Sequence, residues 1–179
     1  MALGGIDVSE LATLPKIELR VDTSSHNLQV TGEILASLEY LKLNDSIIRT
    51  FRDIGTSFKN VRVLHIARCE LKEVQGIQAF EQLEELFISF NEIDDLFDIS
   101  FLEHLSVLDF EGNNVQAIEQ LMYLKRLRNL TSVNFKHNPV STGQHAALYY
   151  EKVVDNVPGI EILDDEPVPA DKREFVSRM

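Results

Sequence analysis

Apolar residues return along this chain at a fixed beat. In residues 38–48, 61–71, 83–93, 105–115 and 130–140 they fill places one, four, six and eleven of an eleven-residue block, and a small polar residue or cysteine stands at place nine. The block recurs at intervals of 22 to 25 residues, and LEELFISFNEI at 83–93 shows it in full. Within each block, alternation over places three to five predicts a short strand that sends Leu86 and Ile88 inward while Glu85 and Phe87 face out. Copies of that strand from successive blocks would stack in a parallel sheet, about 4.8 Å apart.

Beyond place eleven the apolar positions come every third residue: Ile48, Phe51, Ile54; Leu71, Val74, Ile77; Ile93, Leu96, Ile99, Leu102; Val115, Ile118, Leu121, Leu124. A period of three suits a tight 3₁₀ crossover better than a long α-helix. The interval from Leu105 to Leu130 is three residues longer than its predecessor, which predicts a fuller helix over 118–127. At place nine the chain leaves the strand with backbone polar groups turned into the coil, and an Asn side chain can satisfy them. Asn91, Asn113 and Asn138 meet that need, whereas Ser46 and Cys69 in the same column should bond less well.

Five copies in register are the leucine-rich-repeat signature, so the expected fold is an α/β solenoid of the 22-residue class. It would have a concave parallel sheet, short helical convex turns and helical end caps. The expected organisation is one structural domain: an N-terminal cap over 1–37, five repeats over 38–140, a C-terminal cap over 141–168 and a tail over 169–179. Ser9 could cap a short helix through Leu14, and Ile17, Leu19 and Val21 offer an irregular first strand. At the other end, 144–156 reads as a helix with Leu148, Tyr149, Val153 and Val157 inward. A last partial copy follows, with Ile160 and Leu163 at places one and four, and Asp165 at place six stops the stack.

Composition narrows the function. The 179-residue chain is 44% hydrophobic and 26% charged, and no apolar run approaches the roughly 18 residues of a membrane helix. Its start lacks the basic head and apolar middle of a secretory signal, and the lone cysteine suits a reducing compartment; a cytoplasmic protein, monomeric and without a membrane partner, is expected. The sequon at 129–131 should therefore be silent. A net charge of −12 repels phosphate backbones, and no Lys/Arg cluster is dense enough for direct nucleic-acid binding.

Reactive chemistry finds no constellation. His65 and Cys69 have a metal-like spacing, but one faces out and the other in; Asp94 and Asp95 are adjacent surface charges, and Gly112 lacks the spaced glycines of a phosphate cradle. No enzyme activity, cofactor or metal is expected. The outward columns hold more. Place three carries Tyr40, Val63, Glu85, Val107 and Ser132; place five Lys42, His65, Phe87, Asp109 and Asn134; place eight Asp45, Arg68, Phe90, Gly112 and His137. Tyr40, Val63, Phe87, Phe90 and Val107 would form a concave apolar patch suited to a protein partner, unless Phe87 and Phe90 simply lean on each other or the rim. Arg20, Lys42, His65 and Arg68 toward the first repeats, against Glu85, Asp109 and Glu111 beyond, form a charge gradient that would orient a bound segment or merely serve solubility.

Some stretches resemble particular families. The segment YYEKVVDNVPGIEILDDEPV is similar to the C-terminal cap of the phosphatase-1 regulatory repeat protein, the U2 snRNP repeat protein and a repeat light chain of axonemal dynein. ELRVDTSSHNL, RDIGTSFKNVRVLHIARCEL, LEELFISFNEIDDL and SVLDFEGNNV, in that order, more closely resemble the leucine-rich repeat-containing protein 56 family, over residues 17–168. The resemblance implies a ciliary or flagellar protein that assists outer dynein arm assembly or delivery in connection with intraflagellar transport. Its partners would be transport or dynein arm components. Phe90 stands where that family suggests Tyr, and members commonly continue past the cap with polar sequence, whereas this chain ends eleven residues after Val168. The alternatives are a regulatory subunit holding a globular enzyme such as a phosphatase, or a ribonucleoprotein component that binds another protein.

Overall fold

The computed structural model describes residues 8–143, 146–170 and 172. Eight strands form one sheet in chain order: β1 (Lys16–Glu18), β2 (Tyr40–Lys42), β3 (Val63–His65), β4 (Glu85–Phe87), β5 (Val107–Asp109), β6 (Ser132–Asn134), β7 (Ile162–Leu163) and β8 (Glu166–Pro167). Neighbours from β1 to β7 are parallel, and the register aligns Lys16, Tyr40, Val63, Glu85, Val107, Ser132 and Ile162 in one row. The sheet is open, and β2 to β6 each occupy places three to five of their blocks.

Every residue at places one, four, six and eleven of the five blocks is buried. Behind the strands the chain returns through 3₁₀ turns at Phe51–Asp53, Ile77–Ala79, Asp98–Phe101 and Ile118–Arg126. The fourth runs nine residues and stays 3₁₀ throughout instead of becoming the fuller helix that its length suggested. Its apolar residues explain this: Leu121, Leu124 and Leu127 are buried at intervals of three, which only a three-residue turn can keep on one side.

Place nine shows why the repeats need asparagine. The Asn91 Nδ2 donates to the carbonyls of Ile66 and Ile88, each at 2.9 Å, while its Oδ1 accepts from the amides of Cys69 at 2.9 Å and Leu71 at 3.1 Å. Asn113 and Asn138 repeat the arrangement one and two turns on, bridging Ile88 with Phe110 and Phe110 with Phe135. Cys69 donates from Sγ to the Leu43 carbonyl at 3.0 Å and the Ala67 carbonyl at 3.3 Å, and burial pushes its thiol up to about 11, which keeps the proton in place. Ser46 accepts from the Val21 amide at 3.0 Å.

Place eight is a second invariant. Asp45, Arg68, Phe90, Gly112 and His137 all have positive φ, between 54° and 65°. The strand leaves the sheet through a left-handed residue in every block. That conformation costs a side chain roughly 1–2 kcal/mol, so Arg68 and Phe90 are strained where Gly112 is not.

The ends depart from the expectations in detail. The first helix, α1, covers Val8–Leu11, with Ser9 inside it, and the chain before residue 8 lies outside the described residues. A second short helix, α2 (Gln29–Ile34), follows β1. After β6 come α3 (Pro139–Thr142) and α4 (Ala146–Asn156); the expected start at Gln144 lies outside the described residues, as do His145, residue 171 and residues 173–179. In α4 the inward set is Tyr149, Val153 and Val154, with Val157 just beyond, whereas Leu148 is 51% exposed. Leu148 falls off the buried stripe, which runs from Tyr149 to Val153 one turn on, with Val154 beside it.

The last turn ends as a hairpin. β7 and β8 pair antiparallel across Asp164 and Asp165, both with positive φ, as a two-residue turn of this kind requires. In preceding turns the amide at place six donates to the next place-five carbonyl. Here the Asp164 Oδ1 takes that place, accepting from the Phe135 amide at 2.8 Å and from the Tyr149 hydroxyl at 3.1 Å. A carboxylate thus replaces the carbonyl that a further strand would have offered.

Replacing Asn91 by Ala strands two amides and two carbonyls inside the coil and should lower the unfolding free energy by about 3 kcal/mol. Ser46→Ala, which frees one amide, should cost about 1 kcal/mol. Urea denaturation of the two variants side by side measures the difference.

Candidate functional interface on the concave sheet

Alternation leaves places three and five of the strands on the concave side, half-buried by their neighbours in β2 to β5. Four of these side chains interlock across four strands. The Lys16 Nζ sits 4.1 Å from the Tyr40 ring centre; Tyr40 meets His65 at 5.1 Å with the rings tilted by 40°, and His65 stacks on Phe87 at 4.2 Å with planes 6° apart. Cross-strand ring pairs of this kind stabilise a sheet and fix the orientation of each ring. Val63 and Val107 flank Glu85 in the adjoining row, so the sheet pairing brings Tyr40, Val63, His65, Phe87 and Val107 together.

Phe90 is placed differently. It is 46% exposed at the left-handed place eight, and its ring covers Gly112 of the next turn so closely that an added Cβ there would lie 2.4 Å from Cδ1. Among the described residues its ring pairs with no other aromatic, so Phe87 and Phe90 are separate features of the concave side.

The charges are less free than the gradient supposed. Arg68 forks onto Asp45, with Nε at 2.6 Å and Nη2 at 3.2 Å, and Arg20 approaches the same carboxylate at 3.6 Å. The hydrogen bond from Arg68 holds the Asp45 carboxyl below its usual range. Lys42 reaches Glu18 at 3.1 Å, and that contact lowers the Glu18 pKa. Asp109, at the other end, has its pKa raised by burial and accepts from the Glu111 amide at 3.1 Å. His65 has its pKa lowered, first by burial and then by Lys42 and Lys16, so the stacked imidazole is neutral at neutral pH.

Sequence reasoning did not find Lys16, which begins the ladder. Its signal was Leu14 at place one, Ile17 at place four and Leu19 at place six of the cap turn, a block that departs from the pattern at place eleven, where Ser24 stands. His65 and Cys69 lie apart as their columns require, with His65 on the ladder and Cys69 buried in the coil. The Asn129 amide of the sequon is bonded to the Glu103 carbonyl at 3.0 Å. Among the described residues no helix is long and apolar enough to cross a membrane.

No family model matches the chain. It is 37% identical over 169 residues to leucine-rich repeat-containing protein 56 of Rattus norvegicus and 34% identical to that of Homo sapiens, over 89% of this chain in each case. The chain spans 31% of the length of those relatives. The Trypanosoma brucei homologue is 31% identical over 75% of this chain and 20% of its own length. A homologue of a protein phosphatase 1 regulatory inhibitor subunit from Arabidopsis thaliana is 30% identical over 72% of this chain and 40% of its own. The mouse cilia- and flagella-associated protein 410 is 27% identical over 64% of this chain and 45% of its own.

Solved structures share the fold. An internalin of Listeria monocytogenes superposes with a TM-score of 0.63 at 15% identity, covering 97% of this chain and 55% of its own. The Drosophila melanogaster SNF/U2A′ complex contributes a chain with a TM-score of 0.58 at 20% identity, covering 69% of this chain and 71% of that one. These are leucine-rich-repeat folds.

The lowered His65 pKa fixes a sign. The folded state holds the imidazole neutral, so its contribution is present above the unfolded value near 6.5 and is lost as pH falls through the folded pKa. Melting temperature should drop between neutral pH and pH 5.5 by more in the native chain than in His65→Phe, which keeps the stack without the proton; scanning calorimetry at the two pH values reads the difference.

Proposed function

Because the chain belongs to the leucine-rich repeat-containing protein 56 family, matched through its repeat domain, we propose that it is a non-catalytic adaptor that grips a protein partner with its concave sheet. The observation that carries this reading is the ladder of Lys16, Tyr40, His65 and Phe87. It is a row of pre-ordered, half-exposed rings on a rigid sheet, and such rings lose little freedom on binding. Tyr40, Val63, Phe87, Phe90 and Val107 supply the apolar contacts, and Lys42, His65, Arg68 and Asp109 form the polar border.

Kinship favours a partner in the cilium or flagellum, among the components that assemble or carry outer dynein arms. A cilia- and flagella-associated protein also appears among the relatives. The paired states of Arg68 and Lys42 mean that their charges add encounter and register more than affinity. A second reading, a regulatory subunit on a globular phosphatase, is supported by the Arabidopsis thaliana relative.

Affinity capture with the intact chain from flagellated cells separates the two readings: dynein arm or transport components should dominate under the first and a phosphatase under the second. Phe87→Glu with Tyr40→Glu should abolish capture while changing the unfolding free energy by only about 1–2 kcal/mol, since cross-strand ring pairs contribute modestly. Undiminished capture by that variant would count against the concave sheet as the gripping face.

A further inference from the structure

The convex side carries an aromatic cluster that the concave interface does not use. Phe97 meets Phe101 edge-on at 5.2 Å and Tyr123 at 5.5 Å, and the Arg126 guanidinium lies 4.7 Å above the Phe101 ring. These rings belong to the third and fourth 3₁₀ turns, across the core from the sheet. Phe97 is 44% exposed and Phe101 39%, and Met122, beside Tyr123 in the chain, is 60% exposed. Residues of the three-residue period already fill the core beneath them, as Leu96, Ile99, Leu121 and Leu124 are all buried. The exposed rings are therefore surplus to the repeat.

Three cations stand together in the chain beside them. The chain carries a net −12, and Lys16, Arg20, Lys42, Lys59, Arg62, Arg68, Lys72 and Lys136 each face a carboxylate within 4.0 Å. Lys125, Arg126 and Arg128 are exposed, and none of the ion pairs among the described residues involves them. Arg126 and Arg128 border, with Ser100, Phe101 and Glu103, a hollow of about 310 Å³. Rings that offer apolar faces next to unpaired guanidinium groups fit a segment with the inverse character.

We infer that this convex cluster is a second docking surface, which takes an acidic peptide segment of a partner protein with bulky apolar side chains between its carboxylates. The apolar side chains pack on Phe97, Phe101 and Met122, and the carboxylates pair with Arg126 and Arg128. The two faces lie on opposite sides of the core, so the chain can hold two partners at once.

Fluorescence anisotropy of the purified chain with a library of labelled acidic nonapeptides, each carrying two Phe or Leu residues, tests this. A matched library with Lys in place of the acids serves as control. Members of the acidic library should bind, binding should fall as salt rises, and Arg126→Glu with Arg128→Glu should weaken it about tenfold or more. Phe97→Ser with Phe101→Ser should do the same, with unchanged melting showing that the variant is folded, and Phe87→Glu should have no effect. Failure of every acidic peptide to bind, equal binding of the lysine library, or loss through Phe87→Glu would overturn the inference. So would self-association in sedimentation that disappears in Phe97→Ser.

Discussion

A backbone that leaves a strand without entering a helix must find partners for its amides and carbonyls inside the coil, and the column-nine asparagine supplies them. Asn91 joins two turns by donating to carbonyls of both and accepting from amides of the earlier one. No other neutral side chain of that size offers two donors and an acceptor in one plane. The same contacts set the spacing between turns, so the sheet register, and with it the concave surface, follows from a buried polar ladder as much as from the apolar core. Where asparagine gives way to Cys69 or Ser46, fewer bonds are made, toward the end of the stack that the N-terminal cap covers.

The left-handed residue at place eight is the companion constraint. It turns the chain out of the sheet plane, and whatever stands there is pushed to the concave rim. Arg68 and Phe90 occupy a conformation in which glycine or asparagine would be easier, and each has a local contact that offsets part of the strain: the Asp45 fork for Arg68 and the bare surface of Gly112 for Phe90. Gly112 thus does two things, relieving its own turn and making room for the neighbouring ring.

With the backbone settled in this way, the surface is free to vary. The concave side carries an ordered ring ladder and charges that already have partners, while the convex side carries rings with three cations left unmatched. A solenoid suits such a division, because each face is built from a different column of the repeat and neither needs the other to fold.

The one-dimensional pattern determined the repeat blocks, the strand positions, the buried places, the asparagine column and the outward rows, because a period of two in the strands and three in the turns leaves a single way to bury the apolar residues that recur in every block. Leu148 was misplaced because a short helix offers two nearly equivalent stripes, and only its contacts choose between them. Packing alone decided the rest. Lys16 joins the ladder because β1 pairs with β2; Arg68 and Lys42 are neutralised by acids some 23 residues away; Phe90 turns onto Gly112 rather than Phe87. The convex cluster depends on the contact between the third and fourth turns, which brings Phe97 to Tyr123. Such juxtapositions depend on which turn stacks on which and where each side chain then finds room, and a periodic sequence carries the first of these facts but not the second.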